Sequence, residues 1–249
     1  ANAIINEVTS SNGAISVGGT TSANGNITSA KSQTFNGAFT LQSDVELSAG
    51  TNTITFKGTV NGTHALTIGN NANTTNVTFE KSVGSVNKLA SLDVKGNATA
   101  NEAIFTTGDI AVGGVANVTE VTSSGGAISV TGDATASGTI SARGNISFGG
   151  NADVAGVTST SGVISFDGDA KASGAISADG DITFGGNATV NGVTSAYGAI
   201  SVNGATSASG NITSAQSQTF NGAFTLQSDV VLSAGTNTIT FKGTVNGTH

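Results

Sequence analysis

Between Gly126 and Gly210 every sixth residue is glycine, fifteen in succession. Chance does not produce such a run, and self-similarity at a fixed period marks a repeat architecture. Glycine lacks a Cβ, so a corner glycine allows positive φ and close approach of neighbouring backbones. The spacing therefore predicts a chain that bends every six residues.

Read in blocks of eighteen from Gly126, the segment runs "GAISVTGDATASGTISAR", "GNISFGGNADVAGVTSTS", "GVISFDGDAKASGAISAD" and onward. The third column is Ile128, Ile146, Ile164, Ile182 and Ile200, and the fifth is Val130, Phe148, Phe166, Phe184 and Val202. Apolar residues two apart with Ser or Thr between them describe a short half-buried strand. A second strand carries smaller inward pairs: Ala134 with Ala136, Ala152 with Val154, Ala170 with Ala172, and Ala188 with Val190. The third alternates Ile140, Val157, Ile176, Val193 and Ile212, which makes the full unit two blocks. Three strands and three corners per block predict an all-β fold: a three-sided parallel β-helix, or β-solenoid, with about 18 residues per coil. Stacked at a strand spacing of about 4.8 Å, roughly fourteen coils would make a rod near ~65 Å long.

The regular 18-residue coils are expected over 108–215 and looser, longer ones over 34–107. Residues 34–64 return as 219–249 with a single change, Glu46 to Val231, giving a 185-residue period in which 1–64 repeats as 186–249. The chain thus reads as one solenoid window, 1–249, of a longer repeat protein. In "DVELS" the inward pair is Val45 and Leu47, so Glu46 and Val231 should point outward. The competing architecture is a pair of antiparallel β-sandwiches, with Asn36-Gly37 and Asn61-Gly62 as hairpin turns.

One coil cannot stand alone. Ordering eighteen residues costs on the order of 20–30 kcal/mol in backbone entropy, against about 1.5–3 kcal/mol for each large side chain buried. Neighbouring coils must supply the difference, and open ends can template another copy. Self-association through the solenoid ends or sides is therefore expected.

Only 9% of residues are charged and the net charge is −7, so no basic face is available for nucleic acid or anionic lipid. No run of about 18 apolar residues could insert into a membrane. The absence of cysteine removes disulfides, thiolate metal sites and cysteine catalysis.

Asp133, Asn151, Asp169 and Asn187 occupy one column just after a corner glycine. Alternating Asp and Asn can stack as a hydrogen-bonded ladder without like charges in adjacent coils. The rival reading is calcium, held by Asp133 and Asp169 with Asp167, Asp179 and Asp181 of the neighbouring "DGD" turns. No nine-residue glycine-aspartate calcium repeat is present, and no cofactor is expected. His64 and His249 are one repeat position and read as turn residues; without a serine motif or carboxylate constellation beside them, no enzyme is expected. Asn-x-Ser/Thr triplets are plentiful, including those that begin at Asn26, Asn61, Asn76, Asn97, Asn145, Asn187 and Asn211. They read mainly as solvent-facing turn chemistry. An ice-binding lattice is not expected, because the faces of the blocks mix Ser, Thr, Ala, Asp and Lys.

The phrases "QTFNGAFTLQSDVELSAGTNTITFKGTVNGTHALTIGNN", "NVTFEKSVGSVNKLASLDVKG" and "GNISFGGNADVAGVTSTSGVISF" resemble the repetitive stalks of filamentous-haemagglutinin-like adhesins and autotransporter passenger domains of bacteria. The resemblance covers essentially the whole chain and rests on repeat style. It implies a right-handed β-helix, export to the bacterial cell surface or beyond, and a structural or adhesive role with other cells, surface glycans or sister fibres as partners. A self-assembling extracellular filament or sheath subunit is the alternative, and a polysaccharide-binding or polysaccharide-degrading β-helix the minor one.

Overall fold

A computed structural model describes residues 2–70 and 74–249. Among them there is no helix; the secondary structure is short strands separated by bends. Strands pair in parallel throughout, in the three-sided β-solenoid the repeats predict. The antiparallel sandwich is thereby excluded: Gly37 and Gly62 lie against the backbone of the preceding coil, at Gly19 and Leu41, instead of closing hairpins. The chain packs as two compact units, Ala1–Val130 and Thr131–His249.

In Ala1–Val130 one side carries Ile15–Val17, Gln33–Phe35, Thr53–Phe56, Asn76–Phe79, Ala98–Ala100 and Ala116–Val118. Their first inward residues are Ile15, Gln33, Ile54, Val77, Ala98 and Ala116, so successive coils advance by 18, 21, 23, 21 and 18 residues. The wider coils have room for aromatic rings. Phe35, Phe56 and Phe79 stack with centroids 5.2 Å apart, and Phe39 meets Phe35 and Phe56 edge-on at 4.7 and 5.1 Å. All four are fully buried, and such ring pairs add about 0.5–1.5 kcal/mol each beyond area burial.

Gln33 sits where the coil widens. It is fully buried, and its Nε2 donates to the carbonyl of Ile27 at 3.0 Å and of Ser48 at 2.8 Å. The extra residues of the wider coil move a carbonyl out of the ladder, and a buried carbonyl without a donor costs about 1–3 kcal/mol. Gln218 repeats the arrangement with Ile212 and Ser233, at 3.1 and 2.7 Å, where the step again changes from 18 to 21 residues. Glu46 lies outward between buried Val45 and Leu47, and Val231 is 63% exposed.

In Thr131–His249 the three sides differ by what they turn inward. The phenylalanine side carries Ile146–Phe148, Ile164–Phe166, Ile182–Phe184, Ile200–Val202, Gln218–Phe220 and Ile239–Phe241. Phe148, Phe166 and Phe184 stack at 4.9 and 5.0 Å with nearly parallel planes. The alanine side runs through Ala170–Ala172 and Ala188–Val190, the third through Ile176–Ala178 and Val193–Ser195. Ala134–Ala142 and Ala152–Ser159 continue through the corner and serve both of these sides.

The alternation of Ile and Val on the third side is structural. Ile140 pairs with Val157, Val157 with Ile176, Ile176 with Val193 and Val193 with Ile212, steps of 17 and 19 residues in turn. A coil that reaches this side one residue early has one more residue in the next corner. Buried Ser159 and Ser195 absorb it: each hydroxyl accepts the N–H of Gly162 or Gly198 at 3.0 Å and donates to the carbonyl of Gly144 or Gly180 at 2.8 Å. The intervening coils have Ala142 and Ala178 there.

The corner glycines need a correction. Of the fifteen in the regular run, Gly192 alone has φ in the left-handed region, at +93°. The others bend with ordinary φ; at positions such as Gly150, Gly168, Gly186 and Gly204 a Cβ would fall under 3.0 Å from the coil beneath, so the requirement there is space and not backbone handedness.

Candidate functional site: the corner ladder and the alanine side

The column of Asp133, Asn151, Asp169 and Asn187 forms the expected ladder, but its rungs run from backbone to side chain. Asp133 Oδ1 accepts the N–H of Asn151 at 2.8 Å, Asn151 Oδ1 that of Asp169 at 2.9 Å, Asp169 Oδ1 that of Asn187 at 2.7 Å, and Asn187 Oδ1 that of Ala205 at 2.8 Å. Each side chain thus satisfies a backbone donor one coil further on, just where the chain leaves the strand ladder at a corner. Asn187 Nδ2 also donates to Asp169 Oδ2 at 3.3 Å. Gly150, Gly186 and Gly204 lie directly over the side-chain oxygen beneath, a Cβ on Gly150 falling 2.5 Å from Asp133 Oδ1, and Gly168 lies over the backbone of Gly150.

The same bond recurs at other corners. Oδ1 of Asn26, Asn61, Asn76, Asn97, Asn145 and Asn211 each accepts a backbone N–H of the following coil, at 2.8–3.1 Å. With Asn187, these are seven of the asparagines that open Asn-x-Ser/Thr triplets. In these seven the triplet follows the fold: a capping Asn, then an inward residue, then an outward Ser or Thr.

The remaining candidate residues are dispersed. Asp181 Oδ1 accepts Ala199 N–H at 2.8 Å at a different corner. Asp167 and Asp179 engage neighbouring coils through their backbones, donating to Phe148 and Ser159 at 2.8 and 3.2 Å. Among the described residues no three His, Asp or Glu side chains gather into a group that could hold a metal ion. His64 Nδ1 lies 3.7 Å from Asp44 Oδ1 at a corner, and His249 is exposed. At the surface pair of Lys81 and Glu102, 3.0 Å apart, the hydrogen bond and charge of Lys81 hold the Glu102 carboxyl below its usual value.

The mixing of charged and uncharged outward residues falls on one side of Thr131–His249. In Thr131–His249 the outward row of the phenylalanine side is Ser147, Ser165, Thr183, Ser201 and Thr219, and that of the third side is Ser141, Thr158, Ser177, Thr194 and Thr213. Among these outward strand positions charge falls on the alanine side, where Asp153 and Lys171 stand between Thr135 and Thr189 and pair at 3.0 Å. No family model, curated protein or solved structure matches the chain.

The ladder makes a charge prediction. Asn151→Asp keeps the acceptor but sets three carboxylates in successive coils, costing roughly 0.2–1 kcal/mol for each like-charged contact. Mutual repulsion raises the folded-state pKa values, so the loss is present at neutral pH and disappears as pH falls through the carboxylate range. Melting curves at pH 7 and pH 3 check this: the variant should melt below the parent at the first and level with it at the second.

Proposed function

We propose that the chain is a structural and adhesive segment of an exported bacterial surface fibre, a non-catalytic solenoid whose sides contact other cells, glycans or sister fibres. One observation carries this reading: each coil is tied to the next by parallel strand ladders and corner rungs alike, so every added repeat adds rigid length. Such a scaffold displays polar side chains at regular intervals on a rigid support, which suits contact with an extended partner. Repetition of residues 34–64 as 219–249 fits lengthening by duplication of stacked coils. Antibodies against the chain should label intact producing cells, and cells deleted for this segment should lose the label and attach less to surfaces and to one another. Labelling only after lysis, with unchanged attachment, would overturn the reading.

A further inference from the structure

Over 134–190 the inward residues of the alanine side are alanines and valines, and a groove of about 360 Å³ lies on its outer face. It is lined by the Asp133, Asn151, Asp169 and Asn187 ladder and by the outward residues Asp153 and Lys171. A second hollow of about 240 Å³ adjoins it at Thr135 and Asp153. Four coils line the groove, three strand spacings or about 14 Å.

The chemistry of the groove is repetitive and net acidic. Asp133 and Asp169 each hold a backbone N–H, and Asp153 is paired with Lys171. Asp133 Oδ2 and Asn151 Nδ2 make no bond to another described residue, which leaves an acceptor and a donor in adjacent coils. The ladder bonds fix these groups in advance, so a partner would meet them without first ordering them.

We propose that this groove is a binding site for an uncharged linear polysaccharide, laid along the solenoid with successive sugars against successive coils. Sugar hydroxyls donate and accept together, and so can match an edge that alternates carboxylate and amide. The rise from coil to coil is close to the length of one pyranose in an extended glycan. Three carboxylates against one ammonium leave a local charge of −2, which disfavours uronate or sulfated chains. The proposal rests on the adhesive reading and narrows it to one side of one unit and one class of partner.

Affinity electrophoresis of the 249-residue chain in gels carrying hydroxyethylcellulose, galactomannan, xyloglucan or alginate tests it. At least one neutral glycan should retard the chain equally at low and high salt, and alginate should not. Thr189→Arg, which fills the groove from an exposed outward position, should weaken binding at least tenfold. Lys171→Ala should weaken it several-fold, and Thr183→Arg, with the same charge change on the phenylalanine side, should leave it unaltered. Melting curves of the variants establish that all remain folded, and Lys171→Ala, a simple truncation at an exposed site, decides the matter if Thr189→Arg does not fold. Absence of retardation by every neutral glycan, or equal effects of the Thr189 and Thr183 variants, would overturn the proposal. So would a glycan-independent, concentration-dependent dimer lost in Thr189→Arg, which would make the face a contact between copies. Should cells carrying Thr189→Arg in the full protein attach normally while the deletion does not, the groove assignment fails and the adhesive reading stands.

Discussion

Replacing Phe56 by alanine is expected to destabilise its coil by about 3–5 kcal/mol, while the same change at Phe241 is expected to cost only about 1–2 kcal/mol, in proportion to its partial burial. The two residues are the same position of a 31-residue stretch that differs at one site, so local sequence is held constant and only the neighbour changes. Phe56 is packed between Phe35 and Phe79, each 5.2 Å away, with the edge of Phe39 at 5.1 Å. Phe241 has Phe220 and Phe224 at 5.3 Å on one side and solvent on the other. In a stack of coils stability is the sum of intrinsic and interface terms, and a coil lacking one interface has less to lose. Because such arrays open locally, native-state hydrogen exchange is the suitable measurement. Amides of Gln33–Phe35 and Asn76–Phe79 should lose protection in Phe56→Ala, whereas Phe241→Ala should disturb only its own coil. Equal losses would mean that coil stability is set within the coil and not between coils.

The comparison also shows what kind of information the residues carry. Inward columns such as Ile146, Ile164 and Ile182 were legible because alternation within a strand repeats in every coil and needs no knowledge of what packs on what. The Asp133 to Asn187 ladder was legible as a column, since its members share a place in the block. That its rungs would be backbone N–H donors, and that Asn26 or Asn211 belong to the same device, was not: the partner lies about a coil away along the chain and leaves no mark on the triplet itself. Ser159 and Ser195 were hidden for a related reason. A serine after a threonine looks like surface until the 17- and 19-residue steps show an extra corner residue that needs a hydroxyl. Gln33 gave a better signal, a polar residue in a column of Ile and Val, read correctly only once the coil was seen to widen there. The glycines were ambiguous in principle, because positive φ and close approach both select the residue without a Cβ.

That ambiguity can be resolved by substitution. Gly186→Ala would place a Cβ 2.4 Å from Asp169 Oδ1 and 2.7 Å from the backbone of Gly168, distances no real methyl occupies. The coils must separate or the rung from Asp169 to Asn187, 2.7 Å long, must break. The expected cost is about 1–3 kcal/mol for overpacking, with roughly another 0.5–1.5 kcal/mol if the hydrogen bond is lost. Gly18, whose Cβ position meets nothing within 4 Å, is the control: Gly18→Ala should change stability by no more than about 0.5 kcal/mol. Gly192 is the converse case, with open space around it but φ at +93°, so alanine there is strained by conformation alone. The cause of the Gly186 effect can be separated by a double-mutant cycle. Asp169→Ala removes the oxygen beneath the new methyl, so Gly186→Ala should cost less in that background, though not nothing, because the backbone of Gly168 remains. A similar cycle between Asp169→Ala and Gly192→Ala should be additive. Full additivity at the first pair would mean that the approach to Asp169 Oδ1 is not what the glycine at 186 protects.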